Sequence, residues 1–159
     1  MNMKRVVLTI FMLLLFASGN RAAVPTAEQS RFRDNIVQFL KEEGFTPTIN
    51  SDDDSVDFNK DGTVYWICIS GGNPFYVEIH RTGLDCKNAD MNRVIAAVNE
   101  GNKKVKCAKA IRYDSSVAFV IEMYCHSAEE FRYVFYKSLK ELDAIKNTVA
   151  DYYNKNTKD

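Results

Sequence analysis

The sequence has two histidines, one tryptophan, three prolines and seven glycines among 159 residues, and no net charge. Two histidines leave little material for imidazole-based metal clusters or acid–base relays. The few prolines and glycines are scattered, so no flexible linker, collagen-like period or low-complexity tract is present. Balanced charge removes the electrostatic reason to hold nucleic acid or anionic lipid. No internal repeat, phosphate-binding glycine loop or nucleophile motif stands out either.

What is present begins at the amino terminus. Met1-Asn2-Met3-Lys4-Arg5 runs into Val6 to Phe16, where Thr9 is the lone polar residue, and Ala17-Ser18-Gly19 follows with small side chains. This is the pattern of a secretory signal peptide cleaved after Gly19. The apolar run is too short for the ~20 residues that a membrane-spanning helix needs, so no stable membrane anchor is expected after cleavage. A periplasmic or secreted location in a bacterial cell envelope is expected. Removing Lys4 and Arg5 leaves 19 of 21 basic residues against 21 acidic ones, a formal charge of −2. The remaining 20–159 is one domain's worth of chain, with a core about 26–153.

Hydrophobic periodicity predicts an α+β fold in the order α-β-β-β-α-β-β-α, an antiparallel sheet packed with helices. Thr26 and Gln29 form a capping box before Phe32, Ile36, Phe39 and Leu40, and Gly44 ends that helix. Val56 and Phe58 flank Asp57 as an edge strand. Asn59-Lys60-Asp61-Gly62 reads as a hairpin turn. Thr63 to Ser70 is apolar on both faces, which suits a central strand covered on both sides. Phe75, Val77 and Ile79 alternate with Tyr76, Glu78 and His80 after the turn at 71–74. A second helix near Asn88 turns Met91, Val94, Ile95 and Val98 inward and stops at Gly101. Lys103 to Tyr113 and Val117 to Cys125 form a second hairpin, with Val105, Cys107, Ile111 and Tyr113 on one face. Ser127-Ala128-Glu129-Glu130 then opens a long helix striped by Phe131, Val134, Phe135, Leu142, Ile145, Val149 and Tyr152.

Three groups of residues look like chemistry. Asp57, Asn59, Asp61 and Gly62 match the start of a calcium loop, but the bidentate glutamate due at its twelfth position is Cys68. The hairpin turn is therefore the preferred reading, and no metal or other cofactor is expected. His126 follows Cys125 directly, and neighbours in a strand point to opposite faces, which argues against a thiolate–imidazole pair. The four cysteines of an exported chain make disulfides plausible, with three connectivities open. Cys107 opposite Cys125, with Cys68 bonded to Cys86, is the pairing that a three-residue loop at 115–117 favours.

The run of elements resembles the YbjN-like family of bacterial sensory-transduction regulators, whose fold is similar to that of type III secretion chaperones. Carrying the resemblance are Phe39-Leu40-Lys41-Glu42-Glu43-Gly44-Phe45, Asp52-Asp53-Asp54 before Val56-Asp57-Phe58, Val64-Tyr65-Trp66-Ile67 and Asn73-Pro74-Phe75-Tyr76-Val77. The passage from Val94 to Lys106 and Ser127-Ala128-Glu129-Glu130-Phe131 continue it. The signal peptide and the four cysteines depart from typical cytoplasmic members, and the resemblance implies no catalytic residue.

These observations lead to the expectation of an exported, non-catalytic protein-binding or chaperone-like module, whose partner is another protein or a second copy. The alternative is a small-ligand-binding or hydrolytic domain, with His80, Glu78 or Asp57 in a cleft between the sheet and the carboxy-terminal helix.

Overall fold

Alternation along the strands sorts the molecule into two unequal sides. The computed structural model describes residues 25–155; the expected signal peptide, 1–19, lies outside the described residues. Three helices and six strands follow in the order α1 (Ala27–Glu42), β1 (Thr48–Ile49), β2 (Val56–Lys60), β3 (Thr63–Ser70), β4 (Phe75–Asp85), α2 (Met91–Lys104), β5 (Ala108–Arg112), β6 (Ser116–Cys125) and α3 (Ala128–Lys155). The strands form one antiparallel sheet in the order β1-β2-β3-β4-β6-β5. The α+β class and the antiparallel sheet packed with helices are thus as the periodicity predicts.

Every second residue of the sheet enters one core with the helices. Across the strands run Val56, Ile67, Ile79, Ile121 and Ala108, and beside them Phe58, Tyr65, Arg81, Phe119 and Ala110. The helices close over this face: α3 on β4, β5 and β6, α1 on β3 and α3, and α2 on β5 and α3. Phe135 of α3 is fully buried, with Phe39, Phe45, Phe58 and Phe131 at ring-centroid distances of 5.2, 6.1, 5.7 and 5.6 Å. Arg81 is the charged residue of this inner face. Its guanidinium bonds Asp143 at 2.6 Å and lies 5.9 Å from the Tyr65 ring centroid.

Local chemistry explains the element ends. Thr26 accepts from the Gln29 N–H while the Gln29 side chain accepts from the Thr26 N–H. Gly44, at φ 85°, allows the N–H of Phe45 to reach the Leu40 carbonyl and its own N–H to reach that of Lys41, a Schellman ending. Asp61 and Gly62 both have positive φ, 53° and 79°, the signature of a type I′ hairpin turn. At α3, the Ser127 hydroxyl accepts from the Glu130 N–H, while the Glu130 carboxylate accepts from the His126 N–H, one residue further back than a standard capping box.

Several expectations are corrected. Residues 48–49 add a short strand, β1, outside β2, so β2 is not the sheet edge. The second helix is capped by Asp90 and passes through Gly101 to Lys104. Gly101 is a contact point and not a stop, since a Cβ there would meet Val149 Cγ2 at 2.6 Å. Ile95 faces outward. On β5 the inward residues are Ala108 and Ala110, because α2 and α3 both press on this short strand and leave room for methyl groups only. Ile111 therefore faces the other way. Among the described residues, helices cover central β3 on one side, not both.

β4 continues past His80 to Asp85 through an irregularity between Arg81 and Leu84. Gly83 sits within it, where an added Cβ would fall 2.0 Å from the Val117 carbonyl oxygen. Backbone cannot yield there as a flexible side chain would. Gly83→Ala is expected to lower unfolding free energy by at least about 2 kcal/mol in a urea titration. Gly72→Ala, with nothing within 4 Å of its Cβ, is expected to stay within about 0.5 kcal/mol.

Candidate functional site

The face of the sheet turned away from the helices carries most of the unusual side chains. One row across it reads Asp57, Trp66, His80, Val120 and Lys109; the next reads Cys68, Glu78 and Glu122; a third reads Ser70, Tyr76 and Tyr124. Val120 is only 1% exposed although it lies outside the helix-covered core. Trp66 and His80 are cross-strand partners whose rings stack at 5.1 Å with 2° between planes. Tyr76 and Tyr124 lie 5.4 Å apart by ring centroid.

At the centre of this face, ligand atoms of Cys68, Glu78 and His80 all lie within 4.8 Å of one another. His80 Nε2 is 3.8 Å from Glu78 Oε1. Cys68 and Glu78 are direct cross-strand partners, and His80 is two residues beyond Glu78 on the same strand. Burial, followed by the charges of Glu78, Asp53 and Asp57, pushes the Cys68 thiol up to about 11. Burial also lowers His80, against the opposing pull of Glu78 and Glu122, so its imidazole is neutral at pH 7. Glu122 stands across from Glu78 and binds Lys109 at 2.5 Å, a bond that holds its carboxyl below the ordinary range. A protonated thiol among carboxylates is the reverse of an activated nucleophile, which needs a depressed pKa.

The structure separates the other candidate residues. The Asn59 side chain accepts from the Gly62 N–H, Asp61 pairs with Lys60 at 2.6 Å, and Asp57 accepts from the Ser55 hydroxyl at 3.4 Å. Asp57, Asn59 and Asp61 thus serve the β2–β3 hairpin and do not converge. Asp53 accepts from the Ser55 N–H, and Asp54 pairs with Arg33. His126 is exposed and its Nδ1 lies 2.8 Å from the Asn73 side-chain oxygen, while Cys125 turns into the core. His80, Glu78 and Asp57 face away from α3, so no cleft between sheet and carboxy-terminal helix contains them.

All four cysteines are free thiols. Ala108 pairs with Ile121, which aligns position 107 with Glu122 and leaves Cys125 three residues further along. The register turns on a tighter connection than the three-residue loop at 115–117, because Arg112 already pairs with Val117. Cys68 faces the open side, whereas Cys86 lies buried near the end of β4, so these two are not brought together either.

Two further concave features flank the sheet. A pocket of about 190 Å³ is lined by Leu84, Cys86, Ala89, Val94, Val117 and Val149, among others, where β4 ends against α2 and α3. A shallower groove of about 490 Å³ runs beside the end of β6, lined by Met123, Tyr124, Cys125, Glu129, Glu130, Tyr133 and Val134. β5 pairs only with Val117 to Ile121, so among the described residues the outer edge of β6 from Glu122 to Cys125 has no strand partner. Tyr124 and Tyr133 beside it are 70% and 91% exposed.

Thiol accessibility tests the cysteine placements. A thiol reagent near neutral pH should modify one group per native chain quickly, the exposed Cys107, and all four after denaturation. Fewer than four reactive groups in non-reduced, denatured protein would show disulfides in place of these free thiols.

No protein-family model matches this chain, and a search of curated proteins finds no match.

Proposed function

We propose that the domain is an exported, non-catalytic protein-binding module that takes an extended segment of a partner protein along the free edge of β6. The observation that carries this reading is the unpaired Glu122–Cys125 edge beside exposed Tyr124 and Tyr133. Unpaired strand edges offer backbone donors and acceptors to an added strand, and flanking side chains then select its sequence. Here the rim is acidic, with Glu129 and Glu130 in the groove and Glu122 at the strand. A segment alternating basic and apolar residues complements it. A second copy would set the same glutamates against each other, and like-charge contacts across an interface cost several kcal/mol.

Export in this reading rests on the pattern at Met1 to Gly19, and the envelope or the medium is the proposed location. No described helix is long and apolar enough to cross a membrane. A chaperone-like role within a YbjN-like family, of type III secretion chaperone-like fold, is part of the same proposal; the helix–sheet–helix order supports it. The small-ligand alternative has the pocket at Cys86 in its favour. Its 190 Å³ falls below the ~300 Å³ at which ligand pockets usually begin, which favours the edge.

A short peptide of alternating lysine and valine tests the edge. On titration it should shift the backbone amides of Glu122 and Tyr124, which strand alternation turns to the free edge, and protect that of Tyr124 from exchange. Added salt and Glu129→Lys should both weaken binding. Shifts confined to other strands, or none, would contradict the reading. Edge protection that grows with protein concentration in the absence of peptide would identify a second copy as the occupant instead.

A further inference from the structure

We propose that Cys68, Glu78 and His80 form a binding site for a divalent transition-metal ion of the zinc class on the open face of the sheet. Thiolate sulfur, imidazole nitrogen and carboxylate oxygen are the three donor types that zinc takes from proteins. All three are present once each, with donor atoms within 4.8 Å of one another. Ligand atoms around a tetrahedral zinc ion stand roughly 3.3–3.8 Å apart, given metal–ligand bonds of about 2.0–2.3 Å. The His80–Glu78 separation of 3.8 Å is within about half an ångström of the spacing that a nitrogen and an oxygen ligand need. Cys68, within 4.8 Å of the other two donors, closes to that spacing by a side-chain adjustment of roughly 1–1.5 Å.

The site is held by the stiffest part of the fold. β3 and β4 are both interior strands, and their pairing fixes Cys68 opposite Glu78 and Trp66 opposite His80. The Trp66 ring stacked on His80 leaves the imidazole little freedom to turn about its plane. Surrounding charge also favours a cation. Asp57, Glu78 and Glu122 face the same side, where Lys109 is the basic residue and is already paired with Glu122. On binding, the ion displaces the thiol proton to solvent and the thiolate takes its place as ligand. Three protein ligands leave a fourth position for water, the arrangement of an open site. The assignment does not depend on what binds the β6 edge.

Cobalt(II) is the direct probe, added to the reduced full chain after removal of metal. A thiolate-to-cobalt charge-transfer band should grow to saturation at one ion per chain and vanish when zinc is added in competition. Cys68→Ser should abolish the band, Cys107→Ser should leave it, and His80→Gln and Glu78→Gln should each weaken binding roughly tenfold or more, as loss of a ligand or its support does. Circular dichroism shows whether each variant is folded. Zinc should also slow alkylation of Cys68 in the unmodified protein, a readout that needs no variant. The proposal is overturned by absence of the band, by its persistence in Cys68→Ser, or by unchanged affinity in His80→Gln and Glu78→Gln.

Discussion

The pairing of β4 between β3 and β6 sets everything else in this molecule. Along β4, Phe75, Val77, Ile79 and Arg81 turn toward the helices while Tyr76, Glu78 and His80 turn away. A one-residue slip would exchange those two sets and put a histidine and a glutamate beneath α3. Burial of Val77, Ile79 and their neighbours Ile67 and Ile121 resists that slip from both sides of the strand. The same constraint that builds the core therefore also delivers three polar donors to the opposite surface. Core and candidate site are two outcomes of one register.

Helix placement completes the asymmetry. Phe135 fills the space where α1, α3 and the first strands meet, and the two alanines of β5 let α2 and α3 approach the far end of the sheet. Among the described residues no helix is left for the other face. Its cover comes from Trp66 on His80, from Tyr76 beside Tyr124, and from Lys109 reaching Glu122. On this face Val120 is buried, while Tyr124 and the groove beside it are open to solvent. Shortness of β5 adds the second functional feature, because β6 runs four residues beyond its last pairing at Ile121.

Much of this was legible in the residues. The capping box at Thr26, the type I′ turn at Asp61-Gly62 and the long stripe from Phe131 to Val149 each carry a local signal that tertiary contacts did not override. Local signals failed where packing decides. Nothing in Ala108-Lys109-Ala110 announces that the alanines face inward; that follows from two helices crowding one strand. Gly101 resembles a helix stop until Val149 is seen against it. The candidate site was legible in part: Glu78 and His80 were expected in a cleft against the carboxy-terminal helix, and Cys68 was read as a disulfide partner. Cys125 and His126 invited comparison as sequence neighbours, whereas Cys68 and His80 meet only through the register of the β3–β4 hairpin. Strand alternation held the signal, since with Ile67 and Ile79 paired toward the core, Cys68, Glu78 and His80 fall on the opposite face.

Trp66 is the single tryptophan, and it lies on the face that the described helices leave uncovered, between Asp57 and His80. Its fluorescence in dilute, reduced, metal-free protein reports on both the openness and the charge of that face. Acrylamide is expected to quench Trp66 in the folded state, and caesium ions to quench it more effectively than iodide because Asp57, Glu78 and Glu122 share its face. A Trp66 inaccessible to acrylamide, or one quenched preferentially by iodide, would contradict a one-sided sheet with an open acidic face.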